Sequence, residues 1–122
     1  MPSIQTTRTI TAATLIANQY TVTKEGERIS NKYRQPRSLK QAVNQYGYRV
    51  VNLRLDGKSE LWLVHRLVAC VHLPQIEGKP YVNHIIPSKD NNAASNLEWC
   101  THRENMEHAL INNCAGALTR YQ

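Results

Sequence analysis

The tightest constraint in this 122-residue sequence is a pair of opposed apolar runs separated by Asp56-Gly57. Between residues 48 and 55, Val51, Leu53 and Leu55 alternate with Val50, Asn52 and Arg54, the period-two pattern of a half-buried strand. Glycine accepts positive φ without a side-chain clash, so Asp56-Gly57 predicts a tight hairpin turn and Leu61-Trp62-Leu63-Val64 the returning strand. Leu67, Val68 and Val71 then predict a short buried helix over residues 65–72. Upstream, residues 20–23 are β-prone, residues 24–27 supply a turn and residues 28–30 a return strand. Residues 1–18 read as a frayed arm or a short helix around residues 12–18.

A second ordered pattern lies in the back of the chain. Tyr81-Val82-Asn83-His84-Ile85-Ile86 is strand-like, residues 87–94 form a polar loop, and Asn96-Leu97-Glu98-Trp99-Cys100 is a second strand. Thr101 and Glu104 have the spacing of a capping box, in which each satisfies the other's backbone N–H at a helix start. Met106, Ala109 and Leu110 predict one apolar helical stripe, and Gly116 a stop. The expected fold class is α+β: small antiparallel β hairpins, followed by a strand–loop–strand–helix unit. Trp62 and Trp99, each in an apolar strand, belong to the core, which must be thin because the chain has no Phe.

Charge divides the same way. Residues 1–75 carry eleven Lys and Arg against four Asp and Glu, and residues 76–122 carry four against five, so the positive field belongs to the front half. A basic half suits a polyanion, most often nucleic acid. The candidate contacts are Lys32, Arg34, Arg37 and Lys40, interleaved with Tyr33 and Tyr46, together with Arg49, Arg54, His65 and Arg66. No apolar run is long enough to span a membrane, and the N-terminus lacks the apolar stretch of a secretory signal. The three cysteines, Cys70, Cys100 and Cys114, are far apart and unpaired in sequence. That spacing argues against a disulfide framework or a zinc knuckle and favours a reducing, cytoplasmic setting.

Chemistry concentrates on the back unit. His84 ends its first strand, Asn96 follows twelve residues later where the second strand begins, and Asn105 nine residues after that in the helix. An imidazole titrates near neutral pH and can act as a general base. A carboxamide oxygen suits a hard cation such as Mg²⁺. His108, three residues beyond Asn105, shares its helix face.

Val82-Asn83-His84-Ile85, Asn91-Asn92, Ser95-Asn96-Leu97-Glu98-Trp99 and the run from Thr101 to Ala109 resemble the HNH endonucleases of the phage homing type. Tyr20, Val22-Thr23, Gly26, Gly47-Tyr48, Asp56-Gly57-Lys58 and Val64-His65-Arg66-Leu67-Val68-Ala69 resemble the basic module that precedes the nuclease motif in such phage proteins. The resemblance covers roughly residues 20–110. It implies an arm at 1–19, a DNA-binding module at 20–75 and a ββα-metal finger at 76–122. It also implies a DNA endonuclease that hydrolyses or nicks duplex DNA with one divalent cation, Mg²⁺ or Mn²⁺, encoded by a phage and acting in the host cytoplasm. Residue by residue, His84 matches the catalytic base and Asn96 the structural residue that braces the loop. Asn105 and Asn83 match metal-ligand positions, and His108 is a further candidate ligand.

Two departures from the family pattern bear on this expectation. Asn83 is neutral, so neither it nor Asn105 brings a carboxylate to the metal, and DNA phosphate would have to complete the site. The family's common His-Ile-Asp-Gly stands here as His84-Ile85-Ile86-Pro87. No C-terminal reader is visible in residues 110–122, which argues against tight sequence specificity. One finger offers one active site, so a double-strand cut implies a homodimer or two binding events. The rival expectation is a catalytically inactive HNH-fold module that binds DNA or protein; a third is a basic RNA-directed protein.

Overall fold

The computed structural model describes residues 4–5, 8–26, 29–31 and 37–111. The elements run β1 (Ile4–Gln5), α1 (Ala12–Ala17), β2 (Tyr20–Val22), β3 (Ile29–Asn31), β4 (Arg37–Ser38), β5 (Ala42–Val43), β6 (Arg49–Leu55) and β7 (Lys58–Leu63). Then follow α2 (Val64–His72), β8 (Tyr81–His84), a 3₁₀ turn (Ala94–Asn96), β9 (Leu97–Cys100) and α3 (His102–Ile111). This is the expected α+β class. Gly116 lies outside the described residues.

Asp56 and Gly57 take φ of 50° and 82°, the paired positive values of a tight hairpin turn, and join β6 to β7 with Val51 opposite Trp62. Val51, Leu53, Leu55 and Trp62 face one core, while Asn52 and Arg54 face solvent, as the alternation predicts. Val50 lies on the other face, where Tyr48 and Leu63 cover it. The sheet order is β1-β7-β6-β5, with β1 parallel to β7. β2, β3 and β4 form a second, antiparallel sheet, and β8 and β9 a third.

Helix α2 joins these parts. Val64, Leu67, Val68 and Ala69 are wholly buried, and α2 packs on β2, β6, β7, β8, β9 and the 3₁₀ turn. One hydrophobic cluster therefore runs from Ile10 and Leu15 through Trp62 and Leu67 to Val82, Leu97 and Trp99. The front part of the chain is anchored in it: Thr11 Oγ1 accepts from Thr14 N–H at 3.2 Å to cap α1, and Leu15 enters the core.

The capping box forms as a reciprocal pair. Glu104 N–H donates to Thr101 Oγ1 at 3.1 Å, and Thr101 N–H donates to Glu104 Oε1 at 2.9 Å. The apolar stripe of α3 is narrower than its sequence suggests. Asn105 and Ala109, one turn apart, are its buried residues, whereas Leu110 is 61% exposed and Ile111 83%. Leu110 is one position past Ala109, about 100° further round the helix, and this turns it from the hairpin to solvent.

Loop and sheet meet at a glycine. Gly26 takes φ +70° in the turn after β2, and a Cβ there would lie 2.6 Å from the Asn92 carbonyl and 3.0 Å from Val68 Cγ2. Beside it, Ala94 N–H donates to the Lys24 carbonyl at 2.8 Å. Gly26→Ala is expected to destabilise the fold by more than about 1 kcal/mol in urea unfolding, from strained φ and collision together. An unchanged midpoint would show that the loop moves aside freely.

Candidate active site

The hairpin of β8 and β9 pairs Tyr81 with Cys100, Val82 with Trp99, Asn83 with Glu98 and His84 with Leu97. The ladder ends at His84, two residues earlier than its sequence suggests, because the Asn96 carboxamide takes over. Its Oδ1 accepts from Ile86 N–H at 2.8 Å, and its Nδ2 donates to the carbonyls of Ile86 and Asn91, each at 3.1 Å. One side chain thus closes the base of the loop between the strands, and Ile85 and Ile86 are left exposed.

His84 is 8% exposed and held on several sides. Asn92 Oδ1 accepts from His84 Nε2 at 2.7 Å. The His65 ring lies 4.7 Å away, centroid to centroid, and the Tyr48 ring stacks at 6.2 Å. Because Oδ1 can only accept, Nε2 carries the proton and the Nδ1 lone pair is the basic one. Burial pushes the His84 imidazole below its ordinary value, against the pull of the Asn92 hydrogen bond; the charges of Lys89 and His108 lower it further. His84 is therefore neutral at pH 7.

Asn83 is buried, and its Nδ2 donates to Glu98 Oε1 at 3.0 Å. Asn105, in the first turns of α3, is 9% exposed. Helix α3 packs on β8, and His108 Nε2 donates to the Ile85 carbonyl at 2.9 Å. Among the described residues no group of three or more His, Cys, Asp and Glu is arranged to hold a metal. The donors on offer are neutral carboxamide oxygens, which suit a hard cation rather than zinc. Burial, with the charges of Glu98 and Glu104, pushes the Cys100 thiol up to about 12, so it is neither a thiolate ligand nor a nucleophile.

The candidate DNA contacts fare unevenly. Lys32 and Arg34 lie outside the described residues, and Arg37 is in β4 opposite Asn31. Lys40 and Arg54 are exposed, and Arg49 pairs with Asp90 at 2.9 Å on the surface. His65 and Arg66 require correction, since neither is on the surface. His65 is wholly enclosed beside His84, where burial first, then the charges of His84 and Arg66, hold it well below its ordinary value. Arg66 donates from Nε to the Arg8 carbonyl at 2.7 Å and from Nη1 to the Pro80 carbonyl at 2.6 Å, and lies over the Trp99 ring. It is a strut between distant segments. Asn92 is the residue that sequence reasoning passed over; its only signal was its place in the Asn91-Asn92 pair.

A two-stranded hairpin, a braced loop and a capped helix, with a buried histidine at the hairpin's end, define the ββα-finger class. No protein-family model matches the chain. Among curated proteins it is 38% identical over 96 residues to the uncharacterized HNH endonuclease L245 of Acanthamoeba polyphaga mimivirus, covering 76% of this chain and 28% of that one. It is 35% identical over 91 residues to the DNA endonuclease I-HmuI of Bacillus phage SP01, covering 75% and 51%. To the SPbeta prophage-derived putative HNH homing endonuclease YosQ of Bacillus subtilis (strain 168) it is 38% identical over 90 residues, covering 73% and 51%. A solved structure, described as DNA binding and cleavage by the HNH homing endonuclease I-HmuI, superposes with a TM-score of 0.67 at 32% identity, over 78% of this chain and 53% of that one. The chain is similar to these HNH endonucleases over about three quarters of its length, and spans about half the length, or less, of these curated relatives.

Two measurements follow from the buried imidazoles. Unfolded histidines take up protons from about pH 6.5 downward, whereas His65 and His84 resist protonation while folded. Their contribution to stability is therefore complete above that pH and is lost as pH falls below it. Urea unfolding from pH 8 to pH 5 should show this decline, and His65→Leu should reduce its slope. Asn92→Asp sets a carboxylate against His84, which favours the imidazolium. The His84 titration followed by NMR should then move to higher pH, and a titration left in place would show that Asn92 does not govern this ring.

Proposed function

We propose that this chain is a divalent-metal-dependent endonuclease that hydrolyses or nicks the phosphodiester backbone of duplex DNA with His84 as general base. The observation that carries the proposal is the clamp on His84. A buried, neutral imidazole with its Nε2 proton committed to Asn92 is poised to accept a proton at Nδ1. In that role Nδ1 takes the proton of a water, whose oxygen attacks phosphorus in line as the bond to the 3′ oxygen breaks. Asn96 acts indirectly, keeping the loop closed so that Asn92 stays under His84.

Asn83 and Asn105 would hold the cation, Mg²⁺ or Mn²⁺, through their carboxamide oxygens. His108, whose Nε2 donates to the Ile85 carbonyl, is a further candidate ligand beside them. A bound divalent cation supplies Lewis-acid stabilisation of charge on the phosphate and the leaving oxygen. The exposed Lys40 and Arg54, with Lys32, Arg34 and Arg37, supply phosphate contacts that position the duplex. The domain reading follows: residues 20–75 bind DNA and residues 76–122 cut it. A double-strand break would engage two copies. The setting is the cytoplasm of a phage host; among the described residues no helix is long and apolar enough to cross a membrane.

Plasmid nicking with Mg²⁺, Mn²⁺ and EDTA tests this directly. The parent should nick with metal and stop in EDTA. His84→Ala should nick about 10²–10⁴-fold more slowly, the usual contribution of a positioned base, while still binding duplex DNA. Equal nicking by His84→Ala would overturn the mechanism. Binding without nicking under any metal would leave a DNA-binding module instead.

A further inference from the structure

We propose that Glu98 is a positioning residue for the metal, acting through Asn83: it fixes which end of that carboxamide faces the cation and supplies the negative charge that the ligand positions lack. This rests on the nuclease reading above. Asn83 and Glu98 are direct cross-strand partners, so their side chains stand on the same face of the β8–β9 hairpin. A carboxylate can only accept, so the Asn83 group 3.0 Å from Glu98 Oε1 must be the NH₂. The carboxamide oxygen is thereby turned away from Glu98. Without that partner the two ends of a carboxamide are nearly isosteric, and a rotation by half a turn would present hydrogens to a cation.

Charge gives a second argument. Asn83 and Asn105 are neutral, and among the described residues no cluster of acidic and imidazole groups could hold a metal by itself. Glu98 is the carboxylate bonded to one of the two ligand carboxamides. A negative acceptor on an amide N–H draws the amide toward its charge-separated resonance form and makes its oxygen a better donor. Such partners behind a ligand carry about 10–100-fold in metal affinity. Glu98 thus places a carboxylate one hydrogen bond away from a neutral ligand position.

The test is Mn²⁺ titrated into the full chain, with and without duplex DNA, followed by EPR and calorimetry. Glu98 is on the surface, so Glu98→Ala and Glu98→Gln should both fold, which thermal melting checks. Glu98→Ala is expected to weaken Mn²⁺ binding about 10–100-fold. Glu98→Gln can still accept from Asn83 but carries no charge, and should fall between Glu98→Ala and the parent. Asn83→Ala should weaken binding at least as much as Glu98→Ala. A purely structural Glu98 would shift the melt and leave the Mn²⁺ affinity of the folded protein unchanged. If Asn83→Ala weakens Mn²⁺ binding and Glu98→Ala does not, this proposal is overturned while the nuclease reading stands. If the parent neither binds Mn²⁺ nor nicks DNA, the nuclease reading itself fails.

Discussion

Both strands of the candidate active-site hairpin pack on one nine-residue helix that is largely buried. Helix α2 touches β8 and β9, the 3₁₀ turn that carries Asn96, and the β6–β7 hairpin beside Tyr48. Its side chains are wholly enclosed at Val64, Leu67, Val68 and Ala69, and interiors packed to this density transmit displacement instead of absorbing it. A two-stranded hairpin is marginal alone in water, and β8–β9 is only four residues long on each side. Its geometry is therefore set by what it packs on. The front half of the chain is more than a basic attachment to the finger, because it provides the surface that gives the finger its shape.

That dependence reaches His84, the proposed base. His84 is gripped by Asn92 from the loop, by His65 from α2 and by Tyr48 from the approach to β6. Lys89 stands over the Tyr48 ring and donates to the Tyr46 carbonyl, tying the loop back to the same segment. The loop is further pinned where Gly26 abuts Asn92 and where Ala94 bonds Lys24. Contacts from three separate stretches of chain thus determine one imidazole's orientation and charge. A neutral ring follows from the enclosure itself, since burial penalises the imidazolium more than the Asn92 hydrogen bond favours it.

What the sequence made legible was local. The Asp56-Gly57 turn, the alternation of β6, the start of α3 at Thr101 and Glu104 and the placement of His84 at a strand end all rest on neighbours within a few residues. What it hid depends on long-range burial. Arg66 looks like a phosphate contact because arginines usually are exposed, yet two backbone carbonyls, from Arg8 and Pro80, draw it inside. His65 reads as basic until the rings of Tyr48 and His84 enclose it. Asn92 and Glu98 carry no signal as single residues. Their roles arise only when the loop folds under His84 and when cross-strand register sets Glu98 against Asn83. Leu110 misleads in the opposite sense, because the buried face of α3 is carried by Asn105 and Ala109, and one position further round the helix Leu110 points to solvent.

On the nuclease reading, the electrostatics of this site link metal and DNA. The ligand positions are neutral, the base is neutral, and the first 75 residues carry a surplus of seven positive charges. A free divalent cation approaching such a surface finds two carboxamide oxygens and a single carboxylate behind one of them, against a field of its own sign. Duplex DNA reverses that field, and its phosphates add the anionic oxygens that Mg²⁺ or Mn²⁺ prefers. Whatever affinity DNA adds for the cation, the cation must add for DNA at the same site, because the two bindings share one free-energy cycle. A carboxylate-poor finger is then a way of making the metal arrive with its substrate, so that the chemistry is assembled only where there is a strand to cut.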